Sequence, residues 1–143
     1  MIKIINQFKM ELLARSSNES FARAAIAAFI SQLDPTVEEL SDIKTAVSEA
    51  VTNCIVHAYK EQLGYIYITV RILNDNKVSI KIKDKGCGIP DVEKAMEPLY
   101  TTAGGERAGL GFAVMESFTD KLTVHSAVGR GTTVIFHKQL QTR

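Results

Sequence analysis

Ser48-Glu49-Ala50-Val51-Thr52-Asn53-Cys54-Ile55-Val56-His57-Ala58-Tyr59 is the stretch that decides the fold. Glu49, Asn53 and His57 recur at every fourth position and so share one face of a helix. Val47, Val51, Cys54, Ile55 and Ala58 supply its apolar side. A carboxylate and an amide oxygen one turn apart suit Mg²⁺, a hard cation that prefers oxygen. The carboxylate can also take a proton from an attacking hydroxyl or water. On its own the pattern is equally a solvated stripe on an amphipathic helix, so its neighbours must decide.

Upstream, Thr36 and Glu39 form a capping box, which starts this helix at Thr36 and runs it to about Tyr59. Asp34-Pro35 stops an earlier helix over 19–33, capped by Ser17 or Asn18, with Phe21, Ala25, Ala28, Phe29 and Leu33 on its apolar stripe. Before it, Phe8, Met10 and Leu12 alternate with Lys9 and Glu11, the period of a half-buried strand. Downstream, Ile66, Ile68, Val70 and Ile72 alternate with polar neighbours. After the turn Asn74-Asp75-Asn76, Val78, Ile80 and Ile82 do the same, which predicts an antiparallel hairpin. A short helix is expected over 112–118, starting at Leu110 or Gly111. Strands follow over 122–126 and 132–138, joined by the turn Gly129-Arg130-Gly131. The expected architecture is an α/β (α+β) two-layer sandwich: a mixed, mainly antiparallel sheet with helices on one face.

Three further motifs carry chemistry. Asp84-Lys85-Gly86-Cys87-Gly88-Ile89-Pro90 follows a strand directly, so its carboxylate stands at a strand end, where it can accept a hydrogen bond from an amine such as adenine's. Thr101-Thr102-Ala103-Gly104-Gly105-Glu106-Arg107-Ala108-Gly109-Leu110-Gly111 ends where a helix begins, and free N–H groups at a helix start favour phosphate. The Thr hydroxyls and Arg107 add donors. Gly129-Arg130-Gly131-Thr132-Thr133 offers a Thr hydroxyl for a purine edge. Neither the G-x-x-x-x-G-K-[ST] loop nor the G-x-G-x-x-G fingerprint fits. Each motif alone is also ordinary turn or loop chemistry.

Composition bounds the rest. The 143 residues make one domain, 1–143, with 45% hydrophobic and 23% charged residues, which excludes a disordered chain. Lys+Arg 17 against Asp+Glu 16 argues against a nucleic-acid partner. No apolar run approaches the roughly 20 residues of a membrane helix, and none reads as a signal peptide. Cys54 and Cys87 are too few for a disulfide framework and too far apart in sequence for a zinc pair, so a reduced, cytoplasmic protein is expected.

E-x-x-x-N on a helix, D-x-G-x-G after a strand, a Thr-Thr loop ending in G-x-G, then G-T-T before the last strand: in this order the motifs resemble the nucleotide site of the GHKL ATPase superfamily. Within it, SEAVTNCIVHAY, DKGCGIPD, EPLYTT, ERAGLGF and ESFTDKLTVHSAVGRGTTV resemble the anti-sigma-factor serine kinases over essentially the whole chain. The resemblance implies the Bergerat fold binding ATP/ADP and Mg²⁺. It implies Asn53 as the metal residue and Glu49 as the general base. Asp84 would hydrogen-bond the adenine amine with Thr132 or Thr133, while Gly86 and Gly88 let the backbone pass the base. Thr101, Thr102, Gly109 and Gly111 would line the phosphates, with Arg107 at the γ-phosphate. His57 and Cys87 receive no chemical role. The resemblance further implies a homodimer that sequesters a sigma factor of RNA polymerase, of the sporulation sigma-F kind, and phosphorylates a serine of an anti-anti-sigma protein. Arg23, expected to be exposed, would face a partner. Alternatives at this stage are a switch kinase serving a stress-response sigma factor, and an ATP-gated binding module without transfer.

Overall fold

Five strands form one sheet in the order β1-β2-β3-β5-β4, every neighbouring pair antiparallel. They are β1 (Ile4–Leu13), β2 (Tyr65–Leu73), β3 (Lys77–Asp84), β4 (Lys121–Ala127) and β5 (Gly131–Gln139). The expected mixed sheet is therefore purely antiparallel among the described residues. The helices are α1 (Ser17–Ile30), α2 (Val37–Asn53), α3 (Val92–Ala95) and α4 (Arg107–Ser117). The computed structural model describes residues 1–59, 63–96 and 107–141, with backbone alone at 107–110.

Period-two alternation sets the layers. Ile66, Ile68, Val70, Val78, Ile80, Ile82, Val134 and Phe136 point to one face and are buried under the helices with Ile26, Ile43, Val47 and Val51. The hairpin register Ile68↔Ile82 and Val70↔Ile80 pairs these residues directly, as the alternation predicts. Its turn is a short 3-10 segment with Asp75 and Asn76 left-handed, a conformation Asx residues tolerate.

The capping box forms as expected. The Glu39 N–H donates to Thr36 Oγ1 at 3.0 Å, and the Thr36 N–H donates to Glu39 Oε1 at 2.8 Å. Helix α1 departs from expectation twice. Its N-cap is Ser16, without a side-chain cap, while the Asn18 amide donates to the Leu13 carbonyl at 2.8 Å. Its buried stripe is Ala22, Ile26, Ala27 and Ile30 instead of the Phe21 series, and Phe21 is 54% exposed. Ala22, Ile26 and Ile30 join the core that also holds Ile43 and Val47 of α2, whereas Phe29 stacks edge-on against Phe8 of β1 at 4.7 Å. Helix α3, capped by the Asp91 side chain on the Lys94 N–H, had no periodic signal because it is a single turn.

Candidate functional site

The helix read from Thr36 to Tyr59 is not uniform. Helix α2 ends at Asn53 and continues as a π-helix, Cys54–Ala58. The π turn is wider than an α turn and frees carbonyls for other partners. The loop after β3 takes them. The Cys87 N–H donates to the Ala58 carbonyl at 2.9 Å, and the Cys87 thiol lies 3.4 Å from the His57 carbonyl. Gly86 permits this approach, since a Cβ there would sit 2.3 Å from the Ala58 oxygen. The same loop then docks on the β4–β5 turn. Ser126 Oγ accepts the Ile89 N–H at 2.7 Å, and the Gly129 N–H donates to the Cys87 carbonyl at 2.8 Å. Gly88 adopts φ +78 with the Ala127 oxygen 2.2 Å from where a Cβ would stand. Both glycines are thus demanded by neighbouring backbone. Gly88 lines the cavity described next, and Gly86 lies behind it.

Between this loop, the end of α2, α4 and the sheet lies a cavity of about 370 Å³, the size range of small-molecule sites. Its walls are mostly apolar, with Ala50, Ile82, Phe112 and Val134 among them, and its polar residues include Asn53, Asp84 and Thr132. An apolar slot with a few convergent polar groups suits a flat heteroaromatic ring.

Asp84 is the polar anchor. It is 5% exposed, at the last position of β3, where alternation turns it inward. Its Oδ1 accepts the Gly86 N–H at 2.9 Å and the Thr132 N–H at 3.1 Å. Its Oδ2 faces the Cys54 thiol at 3.6 Å. Burial pushes its pKa above the ordinary carboxylate value, and the two backbone N–H donors and the thiol pull back the other way. Asp84 thus keeps an acceptor oxygen for an amine.

Asn53 is the second anchor. Its Oδ1 and Nδ2 are buried and have no hydrogen-bond partner among the described residues. An orphaned amide normally costs 1–3 kcal/mol or so, which a ligand would relieve. Glu49, one turn earlier, converges with it: a Cβ on Gly111 would lie 3.3 Å from Asn53 Oδ1, Asn53 Nδ2 and Glu49 Oε2 alike. An amide oxygen beside a carboxylate fits Mg²⁺, which keeps most of its shell as water and phosphate oxygen.

Helix α4 begins at Arg107, three or four residues before the expected start at Leu110 or Gly111. Gly109 and Gly111 therefore lie inside it, because glycine weakens a helix by only about 1 kcal/mol and does not forbid one. The first-turn N–H groups, which a helix cannot satisfy itself, belong to residues 107–110. Thr101 and Thr102 lie outside the described residues, and the side chain of Arg107 is not described. Thr132 is buried on the cavity, whereas alternation along β5 sends Thr133 to the opposite face, beside Lys83 and His125. Of the two threonines expected near the base, Thr132 is the one that lines the cavity.

Arg23 is not freely exposed. Its guanidinium lies 3.4 Å from Glu19 Oε1 and donates to Ser48 Oγ at 3.2 Å, and Ser48 Oγ donates to Glu19 at 2.7 Å. The sequence reading also passed over Cys54 and Ser126, whose signal is only positional. Cys54 follows the Asn53 anchor, and Ser126 sits in register with Thr132.

With this geometry in place, the relatives agree. Residues 12–138 match the family of histidine kinase-like ATPase domains. An anti-sigma F factor of Caldanaerobacter subterraneus subsp. tengcongensis is 57% identical over 136 residues, covering 94% of each chain. One from Clostridium perfringens is 49% identical over 138 residues, covering 96% of this chain and 99% of the relative. The chain belongs to the anti-sigma F factors of the histidine kinase-like ATPase family. Solved structures place the same fold. The RsbU and RsbW domains of a Mycobacterium tuberculosis protein superpose with TM-score 0.71 at 20% identity, covering 94% of this chain and 32% of that one. The catalytic domain of the histidine kinase ThkA superposes with TM-score 0.58 at 18% identity, covering 97% of this chain and all of that one. No helix among the described residues is long and apolar enough to cross a membrane.

Proposed function

We propose that this anti-sigma factor is a protein-serine kinase of the cytoplasm. With Mg-ATP bound it captures a sigma factor of the sigma-F kind, and it phosphorylates a serine of an anti-anti-sigma protein. The observation that carries the reading is the pairing of two anchors: Asp84 with a spare acceptor in an apolar slot, and the orphaned Asn53 amide beside Glu49. The first suits adenine and the second a metal-bound phosphate tail. The relatives' name supports the sigma-factor partner. A homodimer, two copies each offering one nucleotide site, completes the proposal.

In this reading the base enters the slot and its amine donates to Asp84 Oδ2, while Thr132 flanks it. Asn53 holds Mg²⁺, which when bound neutralises charge on the phosphate oxygens. Residues 107–110 present N–H groups to the phosphates, with Arg107 and Gly109 in that turn, Gly111 directly after it, and Thr101 and Thr102 in the segment before it. The substrate serine oxygen forms a bond to the γ-phosphorus. The bond from that phosphorus to the β,γ-bridging oxygen breaks and ADP leaves. The serine proton passes to Glu49, which is half-buried and placed to accept it. The protein's contribution is orientation and charge, because loose phosphoryl transition states need little covalent help.

The test is transfer of labelled γ-phosphate from Mg-ATP to a purified anti-anti-sigma protein, run with wild type and Glu49→Gln. The expected result is label on a partner serine, with transfer reduced by about two orders of magnitude or more in the variant while ATP binding persists. Unchanged transfer in Glu49→Gln would refute the base, and no transfer despite ATP binding would refute the kinase.

A further inference from the structure

Asp84 can accept about four hydrogen bonds, and the structure accounts for three of them. Oδ1 holds two backbone N–H groups, from Gly86 and Thr132. Oδ2 holds one contact, the Cys54 thiol at 3.6 Å. What remains is a single acceptor direction on Oδ2, facing the cavity that Asp84 and Cys54 line together. We infer that Cys54 is a positioning residue for base selectivity. Its thiol proton occupies one side of Oδ2 and keeps Asp84 an acceptor, so that the slot takes a 6-amino purine and rejects a 6-oxo purine. The inference rests on the proposed reading of Asp84 as the adenine partner.

An ionised carboxylate only accepts, so it binds an exocyclic amine and repels a 6-oxo oxygen. A protonated carboxyl donates and inverts that choice. Selectivity therefore follows the protonation of Asp84. That carboxylate is under pressure to protonate, since burial raises its pKa. Each donor it holds opposes this. The thiol is a reliable proton source for such a contact. Cys54 is almost wholly buried, and burial, then the Asp84 charge, push its own pKa well above the ordinary thiol value. Sulfur is a weak donor, so it supports Oδ2 without competing strongly with an amine for the remaining position.

The surroundings leave the job to Cys54. Tyr59 engages the Lys85 N–H at 2.7 Å and donates to the Tyr65 carbonyl at 2.7 Å. The Lys85 ammonium stands over the Tyr67 ring at 4.9 Å, on the outer face of the sheet. Thr132 contributes its N–H to Oδ1, while its hydroxyl pairs with Ser126 at 2.8 Å. His57 and Cys87 line the same cavity, and no second carboxylate does among the described residues. The donor that reaches Oδ2 from the helix side of the slot is the Cys54 side chain.

The test is calorimetric binding of ADP and of inosine diphosphate between pH 5 and 8, on wild type, Cys54→Ala and Cys54→Ser. Wild type should prefer ADP. Cys54→Ala should narrow that preference by about threefold to tenfold toward the acid end of the range and move the acid loss of ADP binding to higher pH. Cys54→Ser restores a donor and should restore the preference and the pH profile. A wild-type preference that survives in Cys54→Ala overturns the inference alone. A serine variant as indiscriminate as the alanine variant also overturns it, because sulfur volume and not its proton would then matter. Equal wild-type affinity for ADP and inosine diphosphate would remove the base reading itself, and the inference with it.

Discussion

Replacing Asp84 with asparagine separates what the carboxylate does for the fold from what it does for a ligand. The new amide would keep one carbonyl oxygen, and that oxygen would stay on the Gly86 and Thr132 N–H groups, which lie at 2.9 and 3.1 Å from Oδ1. The amide nitrogen would then take the place of Oδ2 and turn a donor toward the cavity. An adenine amine would meet a donor instead of an acceptor. The loss is a hydrogen bond to a charged group, worth about 1.5–3 kcal/mol, plus a buried donor left unpaired at about 1–3 kcal/mol. Together these weaken ADP binding by roughly two to four orders of magnitude. A 6-oxo purine should lose far less, since its oxygen can accept from the new donor.

Stability should move the other way. The folded-state pKa of Asp84 is raised above its ordinary 3.8, so the folded protein binds more protons than the unfolded chain over the window just above that value. In that window wild-type stability falls as pH rises, and the deficit persists above it. The amide does not titrate, so the ligand-free Asp84→Asn variant should gain on wild type in thermal midpoint between about pH 4 and pH 7. Calorimetric titration with ADP and with inosine diphosphate, beside melting curves across that range, reads both effects. ADP affinity within about threefold of wild type, in a variant that melts cooperatively, would refute the assignment of Asp84 to the base.

Two further outcomes follow from contacts described above. Gly111→Ala places a methyl 3.3 Å from Asn53 and Glu49, whose side-chain ends can yield, so the helix gains about 1 kcal/mol at most while phosphoryl transfer drops about tenfold or more. A variant with full transfer would show that Glu49 and Asn53 need not converge there. Arg23→Glu should abolish pull-down of one or both protein partners while leaving ADP affinity unchanged, and undiminished capture of both would end the case for Arg23 as a partner contact.

How much of this was legible beforehand divides by physical cause. Strands β2 and β3 were readable because one face is buried, so their inward apolar residues alternate with outward polar or aromatic ones. The capping box was readable because Thr36 and Glu39 satisfy each other's backbone locally. What escaped depended on distant partners. Whether the Phe21 or the Ile26 stripe of α1 faces inward depends on what α1 packs against, which periodicity does not carry. The start of α4 escaped because two glycines read as a loop, although Gly111 sits where Asn53 and Glu49 need room. The π turn at Cys54–Ala58 has no pattern of its own. It is stabilised by the loop that receives its carbonyls, some thirty residues later.

The site itself was legible as an order of motifs, and the structure gives the reason that order matters. Three motifs meet at one point: the end of α2, the loop after β3 and the β4–β5 turn share the hydrogen bonds of Ala58, Cys87, Ser126 and Gly129. Each of the three supplies hydrogen-bond partners to another, so each motif reads weakly when taken alone. Helix α2 also carries a division of labour in adjacent residues. Ser48 turns to α1 and joins Glu19 and Arg23, while Glu49, about 100° around the axis, turns to α4 and Gly111. The proposed partner surface and the proposed proton acceptor are thus neighbours on one rigid turn. A partner that pulls Arg23 away from Ser48 would act on the backbone that aims Glu49. Loss of partner capture in Arg23→Glu without loss of ADP affinity would fit that arrangement, because the base slot is anchored a turn further on, by Cys54 and Asp84, which Arg23 does not touch.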